Sequence, residues 1–286
     1  IEKIDMKTSV VKQYTIIGLG HIGASLGIAL KKAYKSKVNL VGIDNNPSTI
    51  KKARKEKAYK EVETFGKSKL MVNSEVVFVC VGIEDMPKVF SKLSKINFKK
   101  RVVITDVGSS KFEVFKKAKK IFSKEFNFVG GHPIAGTEKK GFSNSVDSLF
   151  ENKPFFISGV IGSKQSAKLI AKIWRKIGSE VFLVDPRQHD KIFAHLSHLP
   201  HVLAFGLRKI VKKNLSQKEI AKYGGTSFKD YSRISESSSD LWSEIFLSNS
   251  QNLLKTIKEL RAYLVSLEKA LKKNSKNTLI KTLESS

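Results

Sequence analysis

The chain has 286 residues, of which 41% are hydrophobic, so it can bury a core and is neither a disordered nor a fibrous protein. Its single cysteine, Cys80, excludes an intrachain disulfide, and no apolar run reaches the roughly 18 residues of a membrane span. From these two features we expect a reducing, cytoplasmic location and no membrane partner. The formal net charge of +27 comes mainly from lysines spread over the polar faces of many predicted helices, so we expect no nucleic-acid partner.

Short apolar runs alternate with amphipathic segments over the first two thirds of the chain. The runs that predict strands are YTIIG (14–18), NLVGID (39–44), VVFVCV (76–81), RVVITDV (101–107), NFVGG (127–131), PFFISG (154–159) and EVFLVD (180–185). Strands that alternate with helices favour a parallel sheet with helices on both faces. The runs are apolar throughout, as expected for strands that are buried on both sides.

The strand pattern stops after Asp185-Pro186, and the rest of the chain has helical periodicity. In its last part the apolar residues are spaced alternately four and three apart, at positions 253, 257, 260, 264, 267 and 271. This spacing is typical of a helix that packs along its length against another helix. We therefore predict an α/β domain over residues 1–185 and an all-helical domain over residues 186–286.

The sequence GLGHIG follows the first predicted strand and precedes a predicted helix, which is the GxGxxG pattern of a Rossmann-type nucleotide-binding domain. Gly18 permits a tight turn, Gly20 lets a pyrophosphate approach the backbone, and Gly23 lets the helix pack closely on the strand. We expect His21 to face solvent within this loop. The predicted cofactor contacts here are Gly18, Leu19, Gly20, His21, Ile22 and Gly23.

Asp44 ends the second predicted strand, 21 residues after Gly23. A carboxylate at this place can accept hydrogen bonds from a ribose diol and repels a 2′-phosphate. The next residues, Asn45 and Asn46, supply no positive charge for such a phosphate. We therefore predict NAD rather than NADP as the cofactor. The alternative is that Asp44 only ends the strand and caps the following turn.

Two further strand ends contribute candidate cofactor contacts, because ligands bind beyond the carboxyl ends of parallel strands. Gly82 follows the third predicted strand, and Ser109 follows the fourth. Ser109 is a candidate polar contact at the nicotinamide end. The alternative is that its hydroxyl caps the helix that begins near Lys111.

His132 lies in GGHPIAGTEKKG, residues 130–141, directly after the fifth predicted strand. A neutral imidazole here can take a proton from a substrate hydroxyl while a hydride leaves the same carbon. We expect the surrounding glycines to let the backbone approach a small substrate. The alternative is that His132 holds its own glycine loop by hydrogen bonds to the backbone.

Three histidines, His195, His198 and His201, recur at intervals of three. Such spacing could bind zinc, but apart from His189-Asp190, a turn or two earlier, no nearby carboxylate or cysteine completes a ligand set, so we expect no metal. Pro200 is expected to kink or restart the helix, which can turn these side chains into a cleft.

Arg233 lies among hydroxyl and aromatic residues, with Lys229 one helical turn before it. The planar guanidinium of arginine suits carboxylates. The alternative is a surface ion pair with Asp230 or Glu236.

Together these stretches resemble the prephenate dehydrogenase family of tyrosine biosynthesis, which includes the arogenate dehydrogenases. The motifs that carry the resemblance are GLGHIGAS, TDVGSSK, GGHPIAGTEKKG, the HD…SHLPH run at 189–201, and FKDYSRI…W…IFLSN. The resemblance implies a Rossmann domain followed by an all-helical dimerisation domain, and hence a homodimer. It also implies NAD-dependent oxidative decarboxylation of prephenate to 4-hydroxyphenylpyruvate.

The resemblance also implies roles for individual residues. His132 is similar to the base that engages the C4 hydroxyl of prephenate, and Ser109 to its companion near the nicotinamide. Arg233 is similar to the arginine that binds a carboxylate. The other implied substrate contacts are His198, His201, Lys229 and Thr137, the last of which belongs with Glu138 to a Thr-Glu pair that closes the site.

Three alternatives stay open. Arogenate could be the substrate, and a carboxylate placed to meet its ammonium group would favour it. A β-hydroxyacid dehydrogenase would have a catalytic lysine in the helical domain, and no convincing match is present. A non-catalytic protein that binds NAD or nucleic acid would give no NADH.

Overall fold

The computed structural model describes residues 11–66, 70–122, 126–135 and 141–284. Every predicted strand is present, and the described residues add a short strand, β3, that the sequence did not predict. The strands are β1 (Lys12–Ile17), β2 (Val38–Ile43), β3 (Glu61–Glu63), β4 (Val76–Val79), β5 (Val103–Asp106), β6 (Asn127–Pro133), β7 (Pro154–Ile161) and β8 (Glu180–Leu183).

The strands form one sheet in the order β3-β2-β1-β4-β5-β6-β7-β8. Strands β1 to β6 are parallel to one another, as predicted. The prediction was wrong for β7, which runs antiparallel to β6, and β8 follows the direction of β7. A parallel neighbour needs a crossover connection, and the described part of the link between β6 and β7 contains only a short 3₁₀ helix, Phe142–Asn144.

Helices cover both faces of the sheet. They are α1 (His21–Tyr34), α2 (Pro47–Lys55), α3 (Met86–Leu93), α4 (Phe112–Ile121) and α5 (Lys164–Lys176). On one face the side chains of α1, α2 and α5 form a core with Tyr14 and Trp174. On the other face α3 and α4 form a core that contains Phe90, Phe122 and Phe128. Each fully buried side chain of this size contributes about 1.5–3 kcal/mol to folding.

The chain after β8 is helical. Its elements are α6 (Pro186–Phe193), a π-helical segment (Ala194–His198), α7 (Leu199–Asn214), α8 (Gln217–Tyr223), α9 (Thr226–Ile234), α10 (Ser239–Ser248), α11 (Ser250–Lys272) and α12 (Lys276–Glu284). The chain divides into two compact units, Ile1–His189 with Ser237–Glu244, and Asp190–Glu236 with Ile245–Ser286. Within the described ranges, no helix is both long and apolar enough to cross a membrane.

The apolar stripe predicted from residue 253 onward lies along α11. Its first member, Leu253, is 5% exposed, whereas Leu264 and Leu271 are 50% and 58% exposed. Only the first residue of the stripe is fully buried, and two leucines of its later half are exposed on the surface of the single chain.

Candidate active site

The glycine turn between β1 and α1 has the geometry that the GxGxxG pattern predicts. Gly18 has a φ of +89°, which is costly for residues that carry a Cβ. A Cβ on Gly23 would lie 1.9 Å from the carbonyl oxygen of Gly18, so only glycine fits there. A Cβ on Gly20 would find no described atom within 4 Å, so the space beside its backbone is open to a ligand.

The expectation for His21 was wrong. Gly20 is the extended N-cap of α1, so His21 is already the first helical residue and is only 9% exposed. The first intrahelical bond runs from the N–H of Ala24 to the carbonyl of Gly20. The N–H groups of residues 21–23 thus have no intrahelical acceptor, as expected at a helix start that binds an anion.

Asp44 follows β2 and contacts the glycine turn. Its Oδ2 accepts a hydrogen bond of 2.7 Å from the N–H of Leu19, and its Oδ1 accepts one of 2.8 Å from the N–H of Asn46. Asp44 therefore does cap the turn that follows β2, which is the alternative role considered for it. The same bonds hold the carboxylate beside the glycine turn, where its remaining lone pairs suit ribose hydroxyls.

A buried ion pair lies at the end of β5. The Nζ of Lys111 contacts Oδ2 of Asp106, and both side chains are essentially inaccessible, at 1% and 0% exposure. Lys111 also donates to the carbonyl of Gly131 at 2.6 Å, while the N–H of Gly131 donates to Oδ1 of Asp106 at 3.1 Å. The pair therefore fixes both backbone groups of the residue that precedes His132.

Ser109 lies between Asp106 and Lys111 in the sequence, and it is half-buried. The alternative in which it caps α4 is not realised, because the N-cap is Lys111 and no side chain caps that helix. Its role near the nicotinamide stays a prediction.

The glycines before His132 serve the packing of β6. A Cβ on Gly130 would lie 2.1 Å from the carbonyl oxygen of Ser158, and one on Gly131 would lie 2.5 Å from that of Asp106. The pairing of β6 with β7 also shifts register between Val129 and Gly131, and such irregularities re-aim side chains near active sites. The expectation that these two glycines make room for a substrate was therefore wrong.

The imidazole of His132 forms a hydrogen bond with a second imidazole. Its Nδ1 lies 2.9 Å from Nε2 of His189, the last residue of the first unit and the fourth of α6. Both rings are buried, at 8% and 0% exposure, and the ring of Phe156 packs edge-on against His189. The described partner of Nδ1 is thus the side chain of His189.

Thr137 and Glu138 lie outside the described residues, so their predicted part in closing the site has no structural description here. Gly82, the remaining predicted cofactor contact, lies three residues beyond the end of β4, at the same edge of the sheet as the glycine turn.

The second unit carries the other predicted histidines. His198 is 1% exposed, and its Nδ1 lies 3.2 Å from the amide nitrogen of Asn249. That amide also donates to the carbonyl of Asp190 at 2.7 Å, and its oxygen accepts from Asn252. The amide orientation is therefore fixed, and Nδ1 of His198 is an acceptor, which places its proton on Nε2.

His198 ends the π-helical segment that lies directly before Leu199-Pro200. Proline has no N–H and clashes with the carbonyl four residues back, so the predicted disturbance of the helix takes the form of a widened turn. In α7, Nδ1 of His201 donates to the carbonyl of Ser197 at 2.9 Å. Burial lowers the pKa of His201 below its ordinary value, so the ring is neutral at neutral pH.

Arg233 and Lys229 lie one turn apart on α9, and both side chains are exposed. In the part of the chain that the structure describes, Arg233 forms no ion pair, so the alternative pairing with Asp230 or Glu236 is not realised. His195 is a surface residue that lies 3.6 Å from Glu259.

Sequence reasoning missed three residues of these networks. His189 had a signal in the HD pair but received no role, and Lys111 was considered only as a helix start. Asn249 had no signal, because its importance comes from a contact across 51 residues.

The order of the strands reverses at β1, which lies between β2 and β4, and the glycine turn directly follows β1. This arrangement defines a dinucleotide-binding protein of the Rossmann class. The family model "Prephenate dehydrogenase, nucleotide-binding domain" matches residues 26–183, and "Prephenate dehydrogenase, dimerization domain" matches residues 185–285. The chain therefore belongs to the prephenate dehydrogenase family, as its motifs predicted.

Individual relatives agree with this membership. The cyclohexadienyl dehydrogenase of Zymomonas mobilis is 32% identical over 92% of this chain and 89% of its own length. The prephenate dehydrogenase of Aquifex aeolicus, solved in complex with hydroxyphenyl propionate and NAD+, has a TM-score of 0.85 and 31% identity, over 96% of this chain and 95% of that one. The arogenate dehydrogenase of Synechocystis has a TM-score of 0.78 and 25% identity, over 96% of each chain.

Proposed function

We propose that this protein uses NAD to oxidise and decarboxylate prephenate to 4-hydroxyphenylpyruvate, a step of tyrosine biosynthesis. The observation that carries the proposal is the buried imidazole pair of His132 and His189 at the carboxyl end of β6. A base at this place suits removal of a hydroxyl proton from a substrate next to the cofactor. Formation of NADH from prephenate and NAD tests the proposal.

The residues around the glycine turn fit a dinucleotide. The open space beside Gly20 and the N–H groups at the start of α1 suit a pyrophosphate, and the carboxylate of Asp44 suits a ribose diol. NAD is the cofactor, and when bound it accepts the hydride from the ring carbon that carries the hydroxyl. Asp44 would repel the additional phosphate of NADP, which supports the preference for NAD.

His132 acts as the base in this proposal. Its Nε2 accepts the proton of the C4 hydroxyl, which requires the single N–H proton of the neutral imidazole to be on Nδ1. Nδ1 then donates to Nε2 of His189, and this bond becomes charge-assisted once His132 is an imidazolium. His189 is therefore a positioning residue that holds the tautomer and the orientation of the base.

Prephenate carries two carboxylates, which need cationic partners. Arg233 and Lys229 supply two cations on one face of α9, four residues apart. Arg233 is the stronger candidate because its planar guanidinium can bind a carboxylate through two hydrogen bonds. We propose that His198 and His201 also contact the substrate. The hydrogen bond from Asn249 holds the tautomer of His198.

We further propose that residues 186–286 form a dimerisation domain and that the protein is a homodimer. The family model for this part of the chain is a dimerization domain. The exposed leucines along the later half of α11, Leu264 and Leu271, are the surface that a second copy would cover.

Arogenate is the alternative substrate, because it differs from prephenate only where an amino group replaces the keto group. The similarity to the Synechocystis enzyme supports this alternative. Both substrates have the ring, the hydroxyl and the carboxylates on which His132 and Arg233 are proposed to act.

Arg233→Gln is expected to raise the KM for prephenate by about 10- to 100-fold, the loss expected for one hydrogen-bonded charge pair. The value of kcat should change much less, because the guanidinium holds a carboxylate that does not react. Steady-state kinetics at saturating NAD gives both constants. Arg261→Gln, at an exposed position of α11, is the matched control, and an unchanged KM for Arg233→Gln would remove that residue from the site.

A further inference from the structure

Glu244 is an acidic residue that has no part in the chemistry described above. It lies in α10, the helix that begins after Ser238, whose hydroxyl accepts a hydrogen bond from the N–H of Leu241. Residues 237–244 belong to the same compact unit as the sheet. The carboxylate of Glu244 thus lies within the unit that carries the glycine turn.

The carboxylate of Glu244 packs directly against Gly82. A Cβ built on Gly82 would lie 2.8 Å from Oε2 and 3.3 Å from Oε1 of Glu244. Any other residue at position 82 would therefore push the carboxylate away. Glycine at this position leaves room for an acidic group beside the backbone that follows β4.

The Oε2 atom of Glu244 is buried and has no hydrogen-bond partner among the described residues. Within the same ranges, no basic side chain forms an ion pair with it. A buried carboxylate oxygen without a donor is unfavourable, so its presence indicates a donor that the described residues do not supply.

The position of this oxygen narrows the choice of donor. In this class of fold the ligand lies across the carboxyl ends of the strands on both sides of β1, with Asp44 on the β2 side and Gly82 on the β4 side. Asp44 suits the ribose of the adenosine half, so the nicotinamide half lies toward β4. A carboxylate repels phosphates and the carboxylates of a substrate, and therefore selects neutral or cationic donors.

We propose that Glu244 is a cofactor-binding residue whose carboxylate accepts hydrogen bonds from the hydroxyl groups of the ribose attached to nicotinamide. This contact rests on the proposed use of NAD and is independent of which ring substrate the enzyme oxidises. It gives α10 a direct role in holding the reactive half of the cofactor.

Calorimetric titration of Glu244→Gln without any ring substrate tests this contact. We expect its affinity for NADH and for ADP-ribose, which retains the second ribose, to fall about 10- to 100-fold. Its affinity for ADP, which lacks that ribose, should stay unchanged. Glu268→Gln, at an exposed carboxylate of α11, should bind all three ligands like the unaltered protein. The ligand-free variant should be no less heat-stable, because it loses a carboxylate oxygen that is buried without a donor among the described residues.

Four results with the Glu244→Gln variant would overturn the proposal. Equal weakening of ADP would indicate a structural role, as would a large fall in the melting temperature of the ligand-free variant. Weakening of NADH but not of ADP-ribose would assign the carboxylate to the carboxamide instead of the ribose. Unchanged binding of every ligand would remove Glu244 from the site. If the unaltered protein itself binds no NADH, the proposed cofactor fails, and the contact fails with it.

Discussion

Replacing His132 by asparagine is expected to lower kcat for prephenate by about 10²–10⁴-fold, the usual cost of losing a general base. Asparagine can still offer a polar atom to His189 but has no group that takes up the proton of the hydroxyl. The affinity for NAD should be unchanged, because the glycine turn and Asp44 lie on other elements of the sheet. Initial rates and NADH titration measure the two quantities separately.

His195→Asn is the matched control, since His195 is a surface histidine whose only described carboxylate neighbour is Glu259. It should keep full activity. Full activity of His132→Asn would exclude His132 as the base, and an equal loss of NAD affinity would mean that the substitution disturbs the whole nucleotide site.

The second large effect concerns stability. Lys111→Met is expected to lower the free energy of unfolding by about 3–5 kcal/mol, because it leaves the buried carboxylate of Asp106 without its counter-charge. It also removes the donor to the carbonyl of Gly131, the residue before His132, so kcat should fall as well. Urea denaturation monitored by circular dichroism measures the change in stability.

Two further variants separate the ion pair from a simple loss of packing. Lys88→Met removes an exposed ion pair with Asp85 and should cost no more than about 1 kcal/mol. The double variant Asp106→Asn with Lys111→Met should be more stable than Lys111→Met alone, because it no longer buries an unpaired charge. If the double variant is the less stable of the two, the pairing does not explain the loss.

Most of the first domain could be predicted because its strands are continuous apolar runs between helices of clear periodicity. The direction of β7 could not be predicted in this way. It depends on whether the link before β7 contains a crossover helix, and the composition of Pro154–Ile161 does not reveal this. The short strand β3 has only three residues, two of them acidic, and carries no apolar run. Local sequence therefore predicted which segments are strands better than how they pair.

The glycine turn could be predicted in detail because its geometry is local. Gly18 and Gly23 meet within six residues of chain, so the pattern alone states the constraint. The burial of His21 depends on where α1 starts, and helix starts are uncertain by one or two residues in a sequence. Long-range partners such as His189 for His132 are set by the tertiary fold, which no local pattern encodes.

A side-by-side assay of NADH formation tests the central proposal most directly. The unaltered protein would be given prephenate or arogenate, each with NAD or NADP, with His132→Asn as the background. We expect NADH and an equal amount of CO₂ from prephenate with NAD, a slower reaction with arogenate, and little reduction of NADP. Failure to form NADH from either ring substrate, by protein that binds NAD, would contradict the proposed function. Faster turnover of arogenate would contradict the choice of prephenate.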